Sequence, residues 1–206
     1  MSTLKTTMID QERLEKAFTY DNYRVLMQEL VDTKQTTGPN KSDDMVYYTE
    51  LNHQRMKRLD KTIKITESLE NVIKKTDRPQ TWIVLTESWC GDAAQNVPVI
   101  EKLASLNDNI ELRLFLRDEN LDIMDNYLTN GGRSIPKLII FDKESQEELG
   151  TWGPRPVELQ KIYDEWRNST DKVPYKEFNV TLQKWYAKNK SLAMQEELEK
   201  LISSMH

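Results

Sequence analysis

A single cysteine, Cys90, stands in a chain of 206 residues, and that scarcity excludes more than any other feature. With no second thiol there is no internal disulfide, and single-cysteine usage suits a reducing compartment. The two histidines, His53 and His206, show no metal-ligand spacing with a cysteine or carboxylate cluster. No Ser-His-Asp set is evident, so neither a metal site nor hydrolase chemistry is expected. No apolar run approaches the ~18 residues of a membrane span. The start, Met1-Ser2-Thr3-Leu4-Lys5, lacks the apolar segment of a signal peptide, and the cytoplasm is the expected location. Basic excess is missing too: a net charge of -5 argues against a nucleic-acid partner.

What is present is enough for a folded core. Apolar residues make up 37% of the chain and charged ones 31%, which suits one domain with extensions. Residues 1–79 read as a helical extension. Asp10 caps an expected helix reaching about Asp32, with Leu14, Phe18, Val25, Leu26 and Leu30 as candidate buried positions. Thr36 to Asn40 is a loop on turn chemistry. A second helix is expected from about Asp43 to Lys75, with a break near Thr66, ended by Asp77-Arg78-Pro79. Tyr48, Asn52 and Arg55 share one of its faces, which reads as packing or solvated rather than as part of a pocket.

From Gln80 the pattern alternates. Thr81 to Thr86 reads as a strand, Ala93 to Leu103 as a helix containing Pro98, and Ile110 to Leu116 as a strand of period two. A short helix fits Leu121 to Leu128. Lys137 to Phe141 and Glu148 to Trp152 form an expected hairpin about a turn at Asp142 to Gln146. Gly153-Pro154-Arg155-Pro156 leads into a helix ending near Asn168. The expected order over 80–168 is β-α-β-α-β-β-α. Residues 169–206 read as a second helical extension, Tyr175 to Ser204, whose apolar stripe of Met194, Leu198, Leu201 and Ile202 packs on the domain.

The chemistry concentrates at Trp89-Cys90-Gly91-Asp92-Ala93. A thiol where a strand hands over to a helix meets unpaired backbone N–H groups and the positive end of the helix dipole, which favours an accessible thiolate. Asp92 opposes this, because its charge lies two residues from the sulfur. If it points at Cys90, it can also relay a proton to a leaving thiol. Sequence leaves that balance open.

The stretch from Gln80 to Asn168 resembles the thioredoxin superfamily. Trp89-Cys90-Gly91 matches the start of the family's Trp-Cys-Gly-Pro-Cys motif. Pro98 falls where thioredoxins carry a helix-kinking proline, and Ile135-Pro136 falls in the family's Gly-Ile-Pro turn. Gly150 and Trp152-Gly153 lie near its late glycine. The flanking helices look similar to a bacterial branch of thioredoxin-like proteins. The resemblance implies an α/β thioredoxin-like fold, a central mixed sheet flanked by helices, with N- and C-terminal helical extensions. It also implies a cis bond before Pro136 and places the Ile135 backbone beside the thiol, where an extended peptide can pair with it.

The departures are as informative. Asp92 and Ala93 replace the motif's proline and second cysteine, and Val84 stands where thioredoxins bury an aspartate. The resolving thiol and its base are both gone. One reading is a monothiol thiol–disulfide oxidoreductase, with Cys90 as nucleophile and an external low-molecular-weight thiol as resolving co-substrate. Trp89, Gly91, Asp92 and Ala93 support the nucleophile, and Arg133, Ile135 and Pro136 bind substrate. Its partners are protein thiols and disulfides or small-thiol mixed disulfides, with no resident cofactor, and the chain is a monomer or a weak homodimer. A second reading is a redox-inactive peptide-binding or chaperone-like module. The remotest is an iron–sulfur carrier, for which Ala93 is a poor match because cluster-carrying relatives have serine there.

Overall fold

A computed structural model describes residues 9–205; Met1 to Lys5 and His206, read above, lie outside the described residues. In chain order the elements are α1 (Gln11–Lys16), α2 (Tyr20–Asp32), α3 (Asp43–Thr62), α4 (Glu67–Lys74), β1 (Gln80–Thr86), α5 (Gly91–Ala104) and β2 (Ile110–Leu116). After them come α6 (Leu121–Met124), β3 (Lys137–Asp142), β4 (Glu148–Trp152), α7 (Val157–Asn168), α8 (Tyr175–Asn189) and α9 (Leu192–Ser203).

The four strands form one mixed sheet in the order β2-β1-β3-β4. β1 pairs parallel with β2, which requires the crossover supplied by α5, and antiparallel with β3. β3 returns through a hairpin to β4. β1 and β3 are the central strands and every residue of both is buried, so their middles, Trp82 to Leu85 and Leu138 to Phe141, are continuous rather than alternating apolar runs. Trp82, Ile83, Val84 and Leu85 pack with Val97, Ile100 and Leu103 of α5 in one core. The α/β arrangement is that of a thioredoxin-like fold, a mixed sheet flanked by helices.

The N-terminal helix differs from its expected form. It is two helices: Asp10 caps α1 and Thr19 caps α2 through their side chains. Between them the chain is extended, because Phe18 exchanges both backbone hydrogen bonds with Leu114 of β2, at 2.9 and 2.8 Å. Restarting the helix at Tyr20 sets a new face. Tyr23, Met27 and Leu30 are buried, whereas Val25, expected inside, is 56% exposed. The second helix breaks as expected into α3 and α4. α6 stops at Met124, four residues short of its expected end. The amides of Asn126 and Tyr127 there bond back to Ile123 and Met124, tightening the chain into turns.

At the C-terminus, Lys190 and Ser191 both adopt left-handed backbone and separate α8 from α9. Met194, Leu198 and Ile202 of α9 are fully buried in the core that also holds Leu69 and Ile73 of α4. Gln195 bridges to the α3–α4 connection, accepting from the Thr66 amide at 2.8 Å and donating to the Lys64 carbonyl at 3.0 Å. A separate small cluster joins α7 to α8 around Leu159, Phe178, Leu182 and Tyr186. Trp166 stacks on Phe178 at 4.5 Å there.

Candidate functional site

Cys90 is the N-cap of α5. Its Sγ accepts the Ala93 amide at 3.4 Å, and its thiol donates to the Ile135 carbonyl at 3.3 Å. Ile135 is buried, and its bond to Pro136 is cis. The motif and the loop before β3 therefore meet at the sulfur.

The expected accessible thiolate is corrected by this geometry. Cys90 is only 7% exposed. Burial, with the charge of Asp92 second, pushes its pKa up to about 12. The amides of Ala93 and Asp92 and the positive charge of Arg155 act the other way and are outweighed. Loss of solvent is the larger effect, because a thiolate in an apolar setting gives up its hydration while the helix end returns only part of it. The resting sulfur is a protonated hydrogen-bond donor.

Asp92 is directed elsewhere than the thiol. Its Oδ2 pairs with Arg155 at 2.7 Å, with both side chains more than nine-tenths buried. Its Oδ1 accepts from the Tyr186 hydroxyl at 2.8 Å, and Asn96 donates to that hydroxyl at 3.1 Å. Both carboxylate oxygens are thus engaged away from Cys90, which removes the expected basis for a proton relay. The guanidinium of Arg155 also lies 3.9 Å over the Tyr163 ring and donates to Gln160 at 3.0 Å. Burial and the negative charge of Asp92 raise the Tyr186 pKa well above the ordinary tyrosine value, so its hydroxyl stays a donor.

The motif is clamped from the N-terminal side as well. Ser88 Oγ lies within 3.2 Å of the hydroxyls of Thr36, Thr37 and Thr49. Asn52 donates to the Ser88 carbonyl at 2.9 Å, and Arg55 donates to Asn52 at 2.7 Å. The face carrying Tyr48, Asn52 and Arg55 therefore packs on the motif. Tyr48 goes further and lines an open cleft of about 460 Å³ whose wall includes Cys90, Trp89, Ile135, Arg155 and Tyr175.

Trp89 is half-buried at this cleft, with the Arg117 guanidinium 4.9 Å from its ring centre. Arg133 is exposed at the cleft wall and pairs with Asp125 at 2.6 Å. Gly91 sits beneath α8, where an added Cβ would meet Gln183 Nε2 at 3.1 Å. Ala93 and Pro136 are buried, the first at the helix start and the second just before β3. The geometry thus brings the motif, the Ile135–Pro136 loop and Arg133 to one cleft. Sequence reasoning missed Arg155, Tyr163, Tyr175 and Tyr186, which arrive from α7, α8 and the turn before α7. The only local signal for them was the Gly153-Pro154-Arg155-Pro156 turn, read as a connector. Among the described residues, no group of three or more His, Cys, Asp or Glu side chains is placed to hold a metal ion, and no helix is long and apolar enough to cross a membrane.

A family model described as Thioredoxin matches residues 38–167. Among solved structures, a protein of unknown function from Pseudomonas aeruginosa is similar with a TM-score of 0.56 at 16% identity, over 92% of this chain and 99% of its own. The crystal structure of an HIV epitope-scaffold gives a TM-score of 0.54 at 18% identity, over 86% and 97% of the two chains. These likenesses show the fold alone. No curated protein matches the sequence.

Proposed function

The chain belongs to the thioredoxin family, and from that premise we propose that it is a binding member of it. Its cleft receives a ligand or an extended client segment beside Cys90, and disulfide turnover is not its main work. The observation that carries this reading is the state of the sulfur. Cys90 is buried, its pKa is pushed up to about 12, and its thiol is bonded to the Ile135 carbonyl, on the backbone stretch that would otherwise pair with a client. Ala93 and Val84 support it, because the monothiol motif Trp89-Cys90-Gly91-Asp92-Ala93 carries no resolving thiol and no base to serve one.

A second reading keeps exchange chemistry, and the Ala93 amide aimed at Sγ favours it. Once a client disulfide in the cleft displaces the Ile135 contact, the Cys90 proton leaves to solvent. The thiolate then attacks one sulfur, the S–S bond breaks, and the other sulfur departs as thiolate. An external small thiol must then attack the mixed disulfide, returning Cys90 and taking the client half as a new disulfide.

Insulin reduction with and without glutathione separates the two readings. The binding reading expects the protein to add nothing to the rate of glutathione alone, and no turnover without it. Acceleration by more than about tenfold with glutathione present would install the exchange reading instead.

A further inference from the structure

A second cavity, of about 520 Å³, shares no lining residue with the Cys90 cleft. It lies among the end of α3, the first half of α5 and the turn from α8 to α9. Much of its wall is apolar, with Leu59, Ile63, Trp185, Leu192 and Met194 in the lining. Leu192 is a large side chain left 49% exposed there. Three exposed cations, Arg58, Lys64 and Lys190, share this lining, and among the described residues no Asp or Glu does. None of the three forms an ion pair among the described residues. Cations near helix ends commonly answer the dipole alone. That role does not account for this set. The ends of α3 and α8 each present roughly half a negative charge and the start of α9 roughly half a positive one, against three full charges. The turn that carries Lys190 is itself held at a conformational cost. Lys190 and Ser191 both take left-handed backbone, with φ of 52° and 66°, a region that such side chains seldom adopt. Strain of this kind collects at ligand sites, and here the turn brings Lys190 and Leu192 to one cavity. In a chain of net charge -5, the positive excess is local.

We propose that this cavity binds a single-chain amphipathic carboxylate, its alkyl tail along Leu59, Ile63, Trp185 and Leu192 and its carboxylate among Arg58, Lys64 and Lys190. The site goes beyond the binding reading of the Cys90 cleft and does not depend on it. The volume of about 520 Å³ suits such a ligand, since small-molecule sites run from about 300 to 1,000 Å³. Tail burial supplies affinity, and the unpaired cations supply the preference of sign. A wholly apolar ligand would leave the cations unanswered, and a small hydrophilic anion would leave the apolar wall wet. A cationic amphiphile would meet three like charges.

Titration calorimetry on the full chain at neutral pH and low ionic strength, with decanoate, 1-decanol and decyltrimethylammonium, tests the site. These probes share one tail and differ in the charge of the head. Decanoate is expected to bind one per chain, about tenfold more tightly than decanol and more tightly still than the cation. Salt at about 0.3 M should narrow the first gap. Arg58→Glu combined with Lys190→Glu is expected to weaken decanoate about tenfold and to leave decanol unchanged. Leu192→Ser should weaken both about threefold, because it removes tail contact alone. All three positions are exposed, and circular dichroism checks that the variants fold. Absence of decanoate binding, equal affinity for the three probes, or undiminished affinity in the charge-reversed variant would each overturn the site. Loss of decanoate affinity in Arg133→Glu instead would overturn it too, by placing the ligand in the Cys90 cleft and supporting the reading made there.

Discussion

Replacing Arg155 by methionine is expected to destabilise the fold by about 3–5 kcal/mol, measured by urea unfolding, because it strands a buried charge. Asp92 and Arg155 have side chains 6% and 8% exposed and lie 2.7 Å apart. Removing the cation leaves the carboxylate with the Tyr186 hydroxyl and no counter-charge. The stacking of the guanidinium over Tyr163 goes with it. The pair as a whole is a different matter. Two desolvated charges repay little more than their own dehydration, so Asp92→Ala combined with Arg155→Met is expected to recover most of the loss. A single-variant loss under about 1 kcal/mol would mean that water reaches the pair.

Gly153→Ala is the second large effect, expected at about 2–4 kcal/mol from backbone strain and overpacking together. Gly153 has φ of +110°, and an added Cβ would lie 2.3 Å from the Pro136 carbonyl oxygen and 3.3 Å from its carbon. Backbone must move to admit it, and the backbone in question adjoins Ile135, the acceptor of the Cys90 thiol. Gly131 provides the comparison. It also has positive φ, +73°, but an added Cβ meets nothing within 4 Å. Gly131→Ala should therefore lose only about 1–2 kcal/mol, the conformational share. Equal losses at the two positions would show that the contact with Pro136 is not what constrains Gly153. A folded Gly153→Ala variant should also label faster at Cys90, since the displaced loop carries the thiol's acceptor.

The elements that local pattern defines were legible from the sequence. The unbroken apolar runs of β1 and β3, the period-two pattern of β2 and the turn before Glu148 carry their own evidence, and the mixed sheet follows from them. The meeting of Cys90 with Ile135 and Pro136 was legible through resemblance, since the motif and the Ile-Pro turn stand in the family's order. What was not legible depends on segments far apart in the chain. The residues that follow Cys90 are covered by α8, whose Asn179 and Gln183 lie beside Gly91, Gln183 bonds Gln95 and Tyr186 bonds Asp92. Nothing near position 92 announces a partner at position 155. Phe18 breaks the first helix because a sheet edge at Leu114 offers it two backbone bonds, and helical periodicity carries no trace of that edge. Val25 was misplaced as a result, since the helix restarted in a different frame.

The central claim is that the resting Cys90 is a protonated thiol on the wall of a binding cleft, and its alkylation by iodoacetamide as a function of pH tests that claim most directly. With the thiol pKa pushed up to about 12, the folded protein should react slowly at neutral pH. Its rate should then climb about tenfold per pH unit through pH 10 with no plateau. A plateau with a midpoint below about 8.5 would show a stabilised thiolate, contradict the account, and return the protein to the redox-active members of its family.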